Sequence, residues 1–318
     1  MSKPKIVVLD GAILNPGDIS WSEIESISDL KVYERTGYDK VKEIAYDAWG
    51  ILNSKVVIDR KLMQSLPNLK YIGMLATGYN TVDIESAKEL GITVTNVRGY
   101  GPQSVAQLVM AFVLSLSFRI VEHNNQVHNG DWVKCKDYSF SSYPLMELEN
   151  KTMGIFGFGD IGREVAKMAS AMGMKVLVYS RSTKEGFENA SSIEKLFERS
   201  DFLSLNAPLN KETENLIDIN LLSKMKKTAF LINTSRGGVI VEKDLAYALN
   251  NNLIAGAGLD VLAKEPPSAD NPLLTAKNCY ITPHFAGNTL EARTRLMHKV
   301  YKNINAFLEG NPINVLTK

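Results

Sequence analysis

The chain has 318 residues, 45% of them hydrophobic and 22% charged, with 36 Lys plus Arg against 35 Asp plus Glu. This is ordinary globular composition, and the length suits two domains better than one core. A net charge of +1 gives no electrostatic reason to expect nucleic acid or an anionic membrane as partner, and no apolar run approaches the ~18–20 residues of a membrane span. Met1-Ser2-Lys3-Pro4-Lys5 leads into an apolar strand without a cleavable signal pattern. Cys135 and Cys279 are too far apart in sequence to suggest a disulfide framework or a metal knuckle, so a reducing cytoplasm and no metal are expected.

In chain order, Ile6–Asp10, Lys31–Tyr33, Gly50–Asn53, Tyr71–Leu75 and Ile92–Asn96 read as strands. Helices are expected from about Ser20, over Lys40–Trp49 and Arg60–Ser65, and over Ile84–Leu90, with Asp83 as N-cap and Gly91 just past the end. Pro102 to about His128 reads as one long helix, apolar nearly all round through Val105, Leu108, Val109, Phe112, Val113 and Leu116. Such a helix must be covered on most sides, between domains or between subunits. Residues 129–150 read as loop. A second series of strands follows at Thr152–Phe156, Lys175–Tyr179, Phe202–Leu205, Ala229–Ile232, Ala255–Leu259 and Tyr280–Thr282, with a helix at Glu242–Leu249 and a final one from Asn288 to about Leu308. Two runs of alternating strands and helices predict an α/β fold with parallel sheets.

The run Gly157-Phe158-Gly159-Asp160-Ile161-Gly162 stands between a predicted strand and a predicted helix. That context suits a dinucleotide pyrophosphate: a tight turn, close backbone approach, close helix–strand packing and a helix N-terminus facing the phosphates. An acidic residue usually closes the next strand and binds the adenosine ribose; here Ser180 and Arg181 follow Tyr179, with Lys184 nearby. A hydroxyl and a guanidinium suit a ribose 2′-phosphate, so NADP(H) is favoured over NAD(H).

Three later segments place polar residues at strand ends, where open parallel sheets bind ligands. They are Asn233-Thr234-Ser235-Arg236-Gly237-Gly238, then Asp260 with Glu265-Pro266, then Thr282-Pro283-His284-Phe285-Ala286-Gly287. Taken singly, Arg236 reads as a surface salt bridge and Glu265 as a solvated turn. Together, Arg, Glu and His after successive strands of one nucleotide-binding unit make a coherent hydride-transfer site.

With these segments the chain resembles the D-isomer-specific 2-hydroxyacid dehydrogenases, and within them the glycerate dehydrogenase/hydroxypyruvate reductase group. Further matches are Val8-Leu9-Asp10-Gly11, Leu14-Asn15-Pro16-Gly17-Asp18, Ala76-Thr77-Gly78-Tyr79-Asn80, Ser104-Val105-Ala106-Gln107, Asn206-Ala207-Pro208-Leu209 and Phe307-Leu308-Glu309-Gly310-Asn311-Pro312. The resemblance implies two Rossmann-like or flavodoxin-like α/β domains with parallel sheets and a cleft between them. Residues 1–99 and 288–318 would form a discontinuous substrate-binding domain and residues 100–287 the nicotinamide dinucleotide-binding domain, with the helix after Pro102 in a dimer-forming region.

The implied reaction is reversible reduction of a small 2-oxo acid, hydroxypyruvate or glyoxylate favoured, to the D-2-hydroxy acid with NAD(P)H. Arg236 would hold the substrate carboxylate and polarise the keto oxygen, and the backbone of Ala76, Thr77 and Gly78 would bind the same carboxylate. His284 would be the acid, oriented and kept charged by Glu265. Asp260 would contact the nicotinamide carboxamide, and the cofactor set would also take in Asp160, Ile161, Ala207, Pro208, Thr213, Thr234 and Gly287. Leu108 stands where many relatives have a histidine, and Gly287 where many have a tryptophan, a departure that would widen the pocket. D-lactate-type or phosphoglycerate-type activity, or a non-catalytic dinucleotide-sensing scaffold like the corepressors of this fold, are the alternatives.

Overall fold

The computed structural model describes residues 3–317; Met1, Ser2 and Lys318 lie outside them, so the expectation of no signal pattern at the start falls partly outside the described residues. The chain divides into one unit of Met1–Gly101 with Gly287–Lys318 and another of Pro102–Ala286. The joints fall close to those expected, but Tyr100, Gly101 and Gly287 belong to the first unit.

In the first unit β1 (Lys5–Val8), β2 (Asp29–Val32), β3 (Gly50–Asn53), β4 (Tyr71–Met74) and β5 (Thr93–Thr95) form a parallel sheet in the order β2-β1-β3-β4-β5. Strands β3 and β4 are buried on both faces, as parallel sheets require. Alternation along β1 sends Val7 and Leu9 to the face covered by helices Tyr38–Ala45, Arg60–Gln64 and Ile84–Glu89. It sends Ile6 and Val8 to the face covered by helices Ser22–Ile27 and Leu290–Leu308. Asp83 caps Ile84–Glu89 by accepting from the Ser86 N–H, and Gly91 follows with φ +69°. Arg293 on the last helix is buried; its guanidinium donates to both Asp18 carboxylate oxygens at 2.6 Å and to Leu14 O, stapling the 14–18 loop to that helix.

In the second unit β6 (Thr152–Phe156), β7 (Lys175–Tyr179), β8 (Glu188–Asn189), β9 (Phe202–Leu205), β10 (Phe230–Asn233), β11 (Gly256–Leu259) and β12 (Cys279–Ile281) are parallel, in the order β12-β11-β10-β9-β6-β7-β8. Strand β8 was not expected; two polar residues carry no alternation signal. Met153 and Ile155 face the helices Pro102–Phe118 and Asp160–Ala171, while Phe156, Leu203 and Leu205 face Ile193–Arg199 and Glu242–Asn250.

The expected helix from Pro102 to His128 is two helices. Pro102–Phe118 ends where Arg119 turns left-handed (φ 52°, ψ 43°), and Ile120–His128 leaves at a 57° bend. The first is core, with Val109, Phe112, Val113 and Leu116 buried against the sheet, whereas the second has no buried residue. The expected loop at 129–150 also holds a short helix, Asp131–Lys134. Among the described residues no single helix is long and apolar enough to cross a membrane.

Candidate active site

The glycine run closes β6, the strand at which the seven-stranded order reverses. Its neighbour across the reversal is β9, and Asn206 N–H donates to Phe156 O at 2.7 Å. This is the switch-point crevice in which open α/β sheets hold ligands. Gly157 has φ +89°, and a Cβ there would lie 2.7 Å from Ala207 N, so only glycine lets the two crossing loops touch. At Gly159 a Cβ would meet nothing within 4 Å: that position is open toward the crevice. Gly159 caps Asp160–Ala171 without a side chain, so the first-turn N–H groups of Asp160, Ile161 and Gly162 face outward unpaired. Asp160 stands exposed in the first turn, where a carboxylate complements the helix dipole; that accounts for an acid inside this loop.

Open space at Gly159, free helix N–H groups and a buried Thr234 hydroxyl with no partner together fit a dinucleotide. Beyond β7, Ser180 Oγ donates to Ser182 O at 2.8 Å and Lys184 Nζ to Ser182 Oγ at 2.7 Å. Arg181 is exposed and makes no hydrogen bond or ion pair among the described residues. Arg181 thus has every donor unengaged, whereas Lys184 has given one of its three to Ser182. Ala207 and Pro208 lie at the crevice, whereas the Thr213 hydroxyl is spent on its own turn, donating to Pro208 O and accepting from Asn210 N–H.

The chemistry-bearing side chains follow β10, β11 and β12, which are neighbours, so their loops emerge side by side. Asn233, to which the sequence reading gives no role, sets the first loop: its amide donates to Arg236 O and accepts from Ser235 N–H and Oγ. Arg236 is half-exposed and donates to Ser235 O. A Cβ at Gly237 would overlap Leu262 C at 1.9 Å, so the second loop presses directly on the first.

His284 Nδ1–H donates to Glu265 Oε2 at 2.6 Å, which leaves Nε2 free, and the two side chains are 40% and 30% exposed. Glu265 Oε1 accepts from Leu262 N–H, so the acceptor is itself fixed. His284 has φ 53°, a left-handed backbone that costs on the order of 1–3 kcal/mol in a non-glycine residue. Asp260 holds it there. Its buried carboxylate accepts from Thr282 Oγ1 at 2.6 Å, Phe285 N–H at 3.0 Å and Ala286 N–H at 2.9 Å, clamping the loop on both sides of the histidine. Burial pushes the Asp260 carboxyl above its ordinary range, opposed by those donors and by the charge of His284.

Ala76, Thr77 and Gly78 follow β4 in the first unit. Val97 N–H donates to Ala76 O and the Asn96 amide to Thr77 O, while the N–H groups of Ala76, Thr77 and Gly78 make no hydrogen bond among the described residues. The carbonyls are pinned and three N–H donors are left unengaged at this turn. Gly287 clusters with the first unit, and a Cβ there would lie 3.3 Å from the Tyr100 hydroxyl. No group of three or more His, Cys, Asp or Glu placed to hold a metal ion occurs among the described residues. Burial pushes the Cys279 thiol up to about 12, too high for a nucleophile.

Comparison with known proteins agrees with this architecture. The NAD binding domain of the D-isomer specific 2-hydroxyacid dehydrogenases matches residues 110–286. A hydroxypyruvate reductase of Blautia hydrogenotrophica is 43% identical over 99% of this chain and 100% of its own, and a glycerate dehydrogenase of Methylorubrum extorquens is 37% identical over 98% of each. The structure of an NADPH-dependent glyoxylate/hydroxypyruvate reductase from Sinorhizobium meliloti, in complex with NADP and malonate, superposes with a TM-score of 0.85 at 28% identity, covering 99% of this chain and 97% of that one. The chain therefore belongs to the D-isomer specific 2-hydroxyacid dehydrogenase family, and it is an NAD(P)-dependent oxidoreductase of 2-oxo acids.

Proposed function

We propose that this enzyme reduces hydroxypyruvate, with glyoxylate as a second substrate, to the corresponding D-2-hydroxy acid or glycolate, preferring NADPH. The carrying observation is the pair in which His284 donates through Nδ1 to Glu265 at 2.6 Å and keeps Nε2 outward. Arg236 grips the substrate carboxylate and polarises the keto oxygen, and the free N–H groups of Ala76–Gly78 are donors suited to a carboxylate. His284 delivers its Nε2 proton to the keto oxygen, and Glu265 fixes the ring orientation through Nδ1. A nicotinamide cofactor, when bound, would supply the hydride. Hydride at carbon and proton at oxygen together make the alcohol, and in oxidation His284 takes the proton back. Asp260 has one lone pair left for the nicotinamide carboxamide, its other sites being held by the 282–286 loop. Arg181 meets the 2′-phosphate of NADP.

We also propose that two copies pair through residues 118–145. Phe118, Ile120, Val127, Trp132 and Leu145 are exposed there around a hollow of about 480 Å³, an apolar surface that a second copy would cover. Balanced charge fits no nucleic acid or membrane partner, and two free thiols fit the cytoplasm.

Initial rates with hydroxypyruvate, glyoxylate, pyruvate and 3-phosphohydroxypyruvate, each with NADPH and NADH, test the assignment. The highest kcat/KM is expected for hydroxypyruvate with NADPH. A higher value for pyruvate or the phosphorylated acid would move the enzyme to another branch of the family, and no turnover of any of them would favour the sensing scaffold.

A further inference from the structure

The loop that carries Glu265 has no core of its own. Residues 263–270 are all exposed, between buried Leu262 at one end and buried Asn271 at the other. Loops without buried apolar contacts are the mobile parts of a fold unless hydrogen bonds fix them. Glu265 nonetheless has to meet His284 Nδ1 at 2.6 Å. A side chain that orients another through one hydrogen bond needs its own backbone held in place.

Glu242, to which the sequence reading gives no role, supplies that hold. It opens the helix Glu242–Asn250 and is half-buried in its first turn, where a carboxylate complements the helix dipole. A glutamate serving only the dipole could point to water. This one reaches another loop: Oε1 accepts from Ala263 N–H at 2.8 Å and Oε2 from Asn271 Nδ2 at 2.9 Å, so one carboxylate closes the 263–271 loop at both ends. Asn271 is fixed in turn, its Oδ1 accepting from Leu273 N–H at 3.0 Å to cap the short helix Pro272–Thr275. Between these two anchors, Glu265 accepts from Leu262 N–H through Oε1 and from His284 through Oε2. Glu242 also belongs to the run that carries Arg236. Gly237 in that run presses on the Leu262 and Ala263 backbone, so the two loops meet there as well as through the carboxylate.

We propose that Glu242 is a positioning residue for proton transfer, holding the 263–271 loop so that Glu265 keeps His284 in its working orientation. This rests on the reading of His284 as the acid of the reaction. Glu242 acts through Glu265 and not on the reacting atoms, so its removal lowers turnover and spares cofactor affinity.

The test is a double-mutant cycle on kcat for hydroxypyruvate, with KM and the Kd for NADPH measured alongside. Glu242→Ala is expected to lower kcat about 10–100-fold, the consequence of a misplaced acid, and to move the Kd for NADPH less than about twofold. Glu242→Gln should recover part of the loss, because its carbonyl oxygen still accepts from one of the two donors. In the Glu265→Ala enzyme the orienting bond is already gone, so adding Glu242→Ala should change kcat by less than about twofold. Two losses that multiply, a loss confined to KM or to NADPH affinity, or an unmoved kcat overturns the proposal. If Glu242→Ala does not fold, Glu242→Gln takes its place in the same cycle. Near-normal turnover in Glu265→Ala or His284→Ala would instead remove the acid assignment itself, an outcome distinct from an essential pair indifferent to Glu242.

Discussion

The two sheet edges use the same device for different ends. In the second unit buried Asp260 gathers Thr282, Phe285 and Ala286 around His284; in the first, buried Asp10 gathers Ser54 and Lys55. Each aspartate is raised by burial and pulled back by backbone donors, so each spends its charge on a loop. They differ in what the loop presents. His284 carries a second carboxylate, Glu265, on its inner nitrogen, whereas Lys55 carries none. A group that must give up and regain a proton needs a partner that stabilises one of its states.

Substitutions can break this contrast. The largest effect is expected for His284→Ala: kcat should fall about 10²–10⁴-fold, the usual share of a general acid, with the Kd for NADPH nearly unmoved. Stopped-flow and fluorescence titration separate the two quantities; near-normal turnover would remove the acid from the scheme. Next, Arg236→Lys should lower kcat/KM about 10–100-fold, because an ammonium cannot reproduce the planar fork. Unchanged kinetics would dismiss the clamp. Asp260→Asn should depress kcat for both substrates, because the loop that carries His284 loses its anchor. Ser180→Asp should be milder, shifting the NADPH to NADH preference toward NADH by about tenfold; a constant preference would place 2′-phosphate recognition elsewhere.

The smallest effect concerns stability. The Arg293 guanidinium holds the Asp18 carboxyl below its ordinary range. Its contribution is therefore complete above the unfolded carboxylate pKa of ~3.9 and is lost as pH falls through the lower folded value. Arg293→Met should lower Tm by a few °C near neutral pH, with the gap to the unaltered enzyme closing in acid. A gap independent of pH would mean that the loss is packing alone.

Much of this was legible in the residues, for reasons that can be named. Strands buried on both faces read as short apolar runs, and the glycine run announced its own strand, turn and helix. The Arg236, Glu265 and His284 set was legible because each follows a strand, although only resemblance assigned their roles. The break at Arg119 was hidden: Ile120 and Val121 prolong the apolar run past it, and nothing in the composition marks an arginine for a left-handed turn. Asp260 and Thr213 were given cofactor contacts, yet their hydrogen bonds go first to their own loops, and side-chain spacing alone does not show which groups the backbone will claim.

The staple between Asp18 and Arg293 also bears on synthesis. Residues 290–308 cover one face of the five-stranded sheet, and Leu316 N–H donates to Val94 O beside its edge strand. A nascent chain will have made every residue of the 102–286 unit before the first unit can close, so the portion begun earliest must wait on the ribosome for its final helix. Chaperones should accordingly meet an uncovered sheet face on the half of the molecule nearer the start codon.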